Sequence, residues 1–298
     1  MSNHEQTTLL HKLQRLDQMP SIPVVVAPLL RYLEQPLDHL DTQKVVEMIS
    51  QDKSLAAQCL RMANSPLFGR WQAVESVRDA VIALGMQRMR DIVFSCSILT
   101  LVPGDRTQID PTVFWEHAMG CALVCRHFAR RIAYPDPGKA YLAGLLHDIG
   151  VIAHLWLLPG EFRATLELAR AKRIPLHEAE LDTLGITHCE SGKLVAERWA
   201  LPADMIEVVG FHHDLEHAKD HWALLALVSL ADLLCRMGGI GYGYPEERQV
   251  SLMEEPAFEI LLQQCPTLKD FDWARLTFEL EAYLDEVHRL VTLLYRPQ

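Results

Sequence analysis

Residues 141–150 read Tyr-Leu-Ala-Gly-Leu-Leu-His-Asp-Ile-Gly. An apolar helix here ends in an imidazole and a carboxylate, two ligand types that metal ions use in proteins. The dipeptide alone says little, because 14 His and 18 Asp in 298 residues produce about one His-Asp pair by chance. A second pair, His213-Asp214, does occur. The apolar context therefore makes His147 and Asp148 the first candidates for a metal site.

Five further candidate ligands lie elsewhere in the chain. Asp232 is the most informative, since it lies inside the apolar run 224–234. A carboxylate buried there needs a cation, a metal ion or several hydrogen-bond donors, because burying an unpaired charge is costly. The other candidates are His117, His188, His212 and His213.

The pattern is helical almost throughout, without the sustained alternation that indicates strands. Ser54 is predicted to begin the helix over 54–63 as its N-cap, and Gly85 to end the helix over 76–84 in a left-handed conformation. The fold class predicted is all-α. Further helices are predicted over 41–50 and within 256–295, with breaks at 103–112, 134–138 and 238–245.

Composition excludes several classes of protein. The chain has 39 Asp and Glu against 28 Lys and Arg, a net charge of −11, and no basic stripe for DNA phosphates, so DNA binding is not expected. No apolar run approaches the ~20 residues of a membrane span, and the N-terminus lacks a signal-peptide pattern. Seven scattered Cys without a Cys-x-x-Cys motif indicate reduced thiols. A cytoplasmic location is therefore predicted.

Several motifs in one order resemble the HDOD family, a branch of the HD-domain superfamily, over roughly residues 10–235. The resemblance implies an all-α fold with an N-terminal helical lobe (1–105) packed on an HD-like metal-binding bundle (106–245), followed by a C-terminal helical extension (246–298). It also implies bacterial signal transduction, often near cyclic-dinucleotide pathways. The matching motifs are 19–23, 49–55, 61–66, 81–85, 147–150, 185–188, 201–202 and 212–213.

Similarity to the HD-GYP phosphodiesterases implies a centre of two divalent ions, Fe, Mn or Zn, with no organic cofactor. His117, His147, Asp148 and Asp232 match the ligands of the first ion. His188, His212 and His213 match those of the second, with Asp148 bridging the two and serving as the catalytic residue if the protein is an enzyme.

This chain departs from the HD-GYP pattern at two places. Gly150 is followed by Val151, where HD-GYP proteins usually carry a phosphate-binding Lys. The HD-GYP signature run is absent after His213, and the similar run 241–245 lies beyond Asp232, where it is interpreted as a coincidental loop. These departures count against catalysis.

Structural interpretations remain open for each candidate. Asp148 could instead bond backbone donors at a helix end, and His188 could be a solvent-facing cap residue. His117 shares a helix face with Cys121 and Cys125, which would also suit a His/Cys zinc site or a packed core. His212 and His213 point about 100° apart on a helix, so one of them could bind no metal.

Two functions follow from these observations. The first is an HDOD-type regulatory protein whose metal centre senses a ligand while one lobe contacts a signalling protein. The alternative is a metal-dependent phosphohydrolase or phosphodiesterase acting on a nucleotide or cyclic dinucleotide, in which the ions activate water. The filled ligand set favours the enzyme, and the missing elements favour the regulatory protein. The sequence does not decide the oligomeric state.

Overall fold

The computed structural model describes residues 28–29, 32, 35–68, 73–99, 101, 110–247, 250–265, 268 and 273–295. Within these residues the regular structure is helical and no strand occurs, which confirms the predicted all-α class. The helices are α1 (Thr42–Ser50), α2 (Lys53–Ala63), α3 (Val77–Leu84), α4 (Met86–Leu99), α5 (Pro111–Arg131), α6 (Pro137–Leu146), α7 (Ile149–Leu157), α8 (Pro159–Lys172), α9 (Leu176–Thr183), α10 (His188–Arg198), α11 (Ala203–Phe211), α12 (Trp222–Met237), α13 (Pro256–Gln264) and α14 (Trp273–Tyr295).

The described residues form two compact units. The large unit contains residues 110–284, and the small unit contains residues 28–101 and 285–295. The predicted division at 105 and 245 stays a prediction. The predicted break at 103–112 lies mostly outside the described residues, and α5 begins at Pro111 behind the N-cap Asp110.

The helix ends of the small unit follow local capping rules. Asp41 caps α1 by accepting from the Gln43 amide at 2.8 Å. The prediction that Ser54 caps α2 is wrong: Asp52 takes that role, with Oδ1 2.8 Å from the Ser54 amide. A carboxylate at the N-cap also complements the positive end of the helix dipole. Gly85 ends α3 at the predicted place with φ +80°, but its ψ of 162° differs from the left-handed cap that was predicted.

Close helix crossings shape the core of the large unit. α5 packs against α6 and α12, and α7 packs against α10. A Cβ at Gly144 would lie 2.7 Å from the Cys121 carbonyl oxygen, and one at Gly150 would lie 1.9 Å from the His188 carbonyl oxygen. Only glycine permits these approaches. Gly150 thus lets the start of α10 lie directly against the start of α7.

The expectation that no apolar run approaches the length of a membrane span is wrong, because the apolar stretch 137–157 is long enough to cross a membrane by length and composition alone. It is mostly buried within the large unit, and His147 and Asp148 interrupt it between α6 and α7. It is therefore the central core segment of this unit.

Candidate metal centre

Five parts of the large unit bring all seven predicted ligands together. His117 lies within α5, Asp232 within α12, and His188 opens α10. His147 and Asp148 form the junction between α6 and α7, and His212 and His213 directly follow α11. Six of these residues are buried, and His213 is half-buried.

Asp148 lies at the middle of the cluster. Its Oδ2 is 3.3 Å from His117 Nε2 and 3.2 Å from His147 Nε2. Its Oδ1 is 3.1 Å from His188 Nε2 and 3.3 Å from His212 Nε2. Each carboxylate oxygen therefore faces its own pair of imidazoles, the arrangement that a bridging carboxylate requires.

Asp232 and His213 complete the two sides of this arrangement. Asp232 Oδ1 is 3.2 Å from His117 Nε2, and His213 Nδ1 is 3.7 Å from Asp232 Oδ2. His213 also packs against the rings of His188 and His212. We call His117, His147, Asp232 and Asp148 Oδ2 the His117 side, and His188, His212, His213 and Asp148 Oδ1 the His188 side.

The outer nitrogens of four imidazoles are held by acceptors. His117 Nδ1 donates to the Ile240 carbonyl at 2.9 Å, and His147 Nδ1 to the Gly144 carbonyl at 2.8 Å. His212 Nδ1 lies 3.2 Å from the carbonyls of residues 208 and 209, and His188 Nδ1 lies 2.7 Å from Glu180 Oε2. Since these oxygens accept, each Nδ1 carries the proton in the neutral imidazole and the Nε2 lone pair points inward. Metal-binding histidines are commonly oriented in this way.

Two buried polar atoms in the cluster have no hydrogen-bond partner, His147 Nε2 and Asp148 Oδ1. Buried polar atoms in proteins are normally satisfied, so each such exception needs an explanation. Both atoms are aimed into the cluster, and imidazole and carboxylate together suit Fe, Mn or Zn. The residues therefore fit a metal ion.

The electrostatics of the cluster keep both carboxylates ionised. Burial alone raises the pKa of Asp148, but His147 and His188 outweigh burial and hold that pKa well below its usual value. Burial likewise raises the pKa of Asp232, which Arg236 and His117 bring well below the usual range. Burial lowers the pKa of His147, whereas Glu180 and the other acidic neighbours of His188 outweigh burial there and raise the pKa of that imidazole well above its usual value.

The structure decides some of the alternatives left open by the sequence. Asp148 lies at the N-cap position of α7, but its side chain makes no capping bond there. His188 is buried rather than solvent-facing. Cys121 Sγ lies 3.8 Å from His117 Nε2, and Cys189 Sγ lies 3.8 Å from His212 Nε2, so each side of the centre also contains a thiol.

Two contacts at the centre were missed by the sequence analysis. Arg236 binds Asp232 through two bonds, Nε to Oδ1 and Nη2 to Oδ2, both at 3.0 Å. This meets the requirement for a cation beside Asp232, and the spacing of four residues on one helix was a usable signal. The Tyr242 hydroxyl donates to Asp148 Oδ2, so the loop 241–245, interpreted as coincidental, does reach the centre.

Glu180 and His177 surround the His188 side and were also missed. Besides His188, Glu180 binds His154 Nδ1 through Oε1 at 3.0 Å. Burial raises the pKa of Glu180, but His188 and His154 lower it to about 2. His177 stacks on His213 with ring centroids 4.2 Å apart. No local pattern announces these contacts, because α9 meets the centre only through tertiary packing.

A cavity of about 510 Å³ lies beside the centre. His177, His212, His213 and Arg236 line it. Four carboxylate residues also line it: Glu178, Asp214, Glu216 and Glu255. A small ligand can therefore reach His213, although the cavity walls are predominantly acidic.

Comparison with known proteins shows the family and the fold of the chain. The sequence profile of the HDOD domain matches residues 19–215. A solved HDOD domain protein from Geobacter sulfurreducens is 27% identical, with a TM-score of 0.83, over 98% of this chain and 99% of that one. A Marinobacter aquaeolei structure named for signal transduction, 21% identical, shares the fold with a TM-score of 0.74 over 99% of this chain and 67% of that one.

Two further proteins are similar to this chain, one over nearly its whole length and the other over less than half of its length. A Shewanella amazonensis structure named as a candidate phosphohydrolase shares the fold at 24% identity, with a TM-score of 0.72 over 94% of this chain and 97% of that one. A Treponema pallidum protein is 26% identical over 231 residues, 74% of this chain and 43% of that protein. The chain thus spans less than half the length of this curated relative.

Proposed function

The chain belongs to the HDOD domain family, and from that premise we propose that it is a bacterial signal-transduction protein regulated through a metal centre. The proposal rests on one observation above all: Asp148 is buried between two pairs of inward-facing imidazoles, with Oδ1 unsatisfied. We propose that His117, His147, Asp148 and Asp232 hold one divalent ion and that His188, His212, His213 and Asp148 hold a second, each Fe, Mn or Zn.

The lining of the cavity favours regulation over turnover of a phosphate ester. Among the described residues that line it, Arg236 is the single Lys or Arg, and both Asp232 and Glu246 already bind its guanidinium. The carboxylates of Glu178 and Glu216 line the same cavity and repel a polyanion there. A phosphate ligand therefore meets no uncommitted cationic side chain here.

One observation favours the alternative, a metal-dependent phosphohydrolase acting on a nucleotide or cyclic dinucleotide. The bridging position of Asp148 suits two ions, which when bound can polarise a phosphate ester and lower the pKa of a water. In that case the chain's own residues have positional roles. Asp148 presents one carboxylate oxygen to each side of the centre. The carbonyls of Ile240 and Gly144 orient the imidazoles of His117 and His147.

Partners and location are part of the same proposal. We propose that the signal passes to a separate signalling protein, with no DNA contact. In the phosphohydrolase alternative the partner is instead a nucleotide or cyclic dinucleotide. We place the protein in the cytoplasm, where its buried thiols stay reduced.

The test is elemental analysis of the anaerobically purified 298-residue chain, with Asp148→Ala alongside. About two ions per chain, lost in the variant, are expected. Turnover of a simple aryl phosphodiester by the loaded protein is then compared before and after chelation. The absence of turnover supports the regulatory protein, and turnover that chelation and Asp148→Ala both abolish supports the hydrolase. The absence of metal after reconstitution overturns both.

A further inference from the structure

The two sides of the centre differ in what already binds them. On the His188 side, Asp148 Oδ1 has no hydrogen-bond donor and lies 3.1 Å and 3.3 Å from two Nε2 atoms, which are themselves 3.3 Å apart. For metal–nitrogen bonds of about 2.0–2.1 Å, neighbouring ligands of a tetrahedral ion lie about 3.3 Å apart. The ligand atoms of this side are therefore spaced for an ion. Those of the His117 side lie 3.2–3.3 Å apart and are spaced alike, so the difference between the two sides lies in their internal donors.

The His117 side is instead occupied by groups of the protein itself. The Arg236 guanidinium takes both oxygens of Asp232, and Nη1 of the same guanidinium is 2.5 Å from Glu246 Oε2. The Tyr242 hydroxyl donates to Asp148 Oδ2, the oxygen that faces His117 and His147. Both acidic ligands of this side therefore have internal donors.

Arg236 is held strongly at Asp232 because its side chain is buried and paired. Its side chain is only 9% exposed, and two carboxylates bind it from different elements, α12 and the loop after it. Because Asp232 and Glu246 both hold the planar guanidinium, its bidentate bond to Asp232 costs little additional side-chain conformational entropy. A divalent ion on the His117 side must compete with this cation for Asp232 and bear its repulsion.

We propose that Arg236 and Tyr242 make metal loading sequential: the His188 side binds its ion first, and the ion of the His117 side binds only by displacing these two residues from Asp232 and Asp148. Arg236 thus acts as an internal cation that substitutes for one ion of the pair. This inference rests on the proposed function, because it concerns the same centre.

The experiment titrates Co²⁺ into the metal-free 298-residue chain and measures bound cobalt after equilibrium dialysis. The expected result is two classes of site that differ at least about tenfold in dissociation constant, about 1.4 kcal/mol. Arg236→Gln is expected to tighten the weaker class at least about tenfold and leave the tighter class unchanged. His188→Ala is expected to remove the tighter class.

Two further variants keep the test decisive. Tyr242→Phe removes only the hydroxyl donor and is expected to tighten the weaker class by a smaller factor, so the test survives if Arg236→Gln does not fold. Arg163→Gln, in an exposed ion pair with Glu167 on α8, is the matched control and leaves both classes unchanged.

The outcomes separate the two proposals. Two indistinguishable classes in the native chain overturn sequential loading but leave the metal centre standing. A weaker class that neither Arg236→Gln nor Tyr242→Phe tightens also overturns it. No cobalt binding at all overturns the metal centre and this inference together.

Discussion

The large unit contains two buried polar clusters side by side, and they differ in completeness. In the His154 cluster, His154 Nδ1 binds Glu180 at 3.0 Å and Nε2 binds Ser191 Oγ at 2.8 Å, while Ser191 Oγ in turn donates to the Thr187 carbonyl at 3.1 Å. Every ring nitrogen of His154 is satisfied. In the Asp148 cluster, a carboxylate oxygen and a ring nitrogen are not.

The difference separates a polar cluster that stabilises the fold from one that is built for a ligand. In a closed cluster, such as that of His154, hydrogen bonds within the protein offset the free-energy cost of burying the polar groups. In an open cluster, such as that of Asp148, this cost is offset only when a ligand binds the unpartnered atoms. Removing a residue should therefore reduce stability in the first case and metal affinity in the second.

The largest expected effect is at the centre of the open cluster. Asp148→Asn should lower metal affinity at least about 1,000-fold, because loss of a shared ligand exceeds the ~10–100-fold effect of changing a ligand's outer partner. The metal-free protein should also lose some stability, because the lowered pKa of Asp148 means that the folded state stabilises its ionised carboxylate. Metal content and unfolding of the metal-free protein in urea measure the two quantities.

Asp182→Asn, in an exposed pair with Lys172, is the control for that variant and should change neither quantity. Metal retention in Asp148→Asn would contradict the assignment of the centre.

The next effect belongs to the closed cluster. His154→Leu should lower the free energy of unfolding by about 3 kcal/mol, since it breaks a buried pair and leaves Glu180 with one partner fewer. Metal affinity should change less than about threefold, because His154 contacts no ligand atom. Urea unfolding and cobalt titration test both statements.

His127→Leu makes the same change in a partly exposed pair with Glu279 and should cost no more than about 1 kcal/mol. If His154→Leu instead abolished metal binding while stability stayed intact, the distinction between the clusters would be lost.

Glu180 belongs to both clusters and should show both effects at intermediate size. Glu180→Gln keeps the volume but weakens the bonds that orient His188 and His154. Metal affinity should fall about tenfold, the lower end of the range for a ligand's outer partner. Glu167→Gln, on an exposed face, is the control. An effect on stability alone would place Glu180 entirely in the closed cluster.

The smallest expected effect is at the N-terminus of α10. Thr187, the residue before His188, forms a capping box there with Glu190. Thr187→Ala should cost about 1 kcal/mol of stability, whereas Thr187→Ser, which keeps the hydroxyl, should cost much less. Thermal unfolding of the two variants makes the comparison, and equal losses would show that the cap contributes nothing.

Much of the centre could be predicted from local sequence. His147 and Asp148 end an apolar helix, and Asp232 lies in an apolar run where a charge needs a partner. Arg236 was predictable by the same reasoning, since residues four apart lie on one helix face. Tyr242 was not, because its role depends on where a loop of irregular backbone lies relative to Asp148.

The sequence by itself determined the helices, their class and the types of ligand available, because helix periodicity and capping depend on residues within a few positions of one another. Only the tertiary structure decided that ligands from five regions gather in one cluster around Asp148, and that Arg236 and Tyr242 occupy one side of it. The physical reason is that these contacts join residues up to 115 positions apart, His117 and Asp232 among them, and their geometry follows from how closely helices cross, as at Gly150.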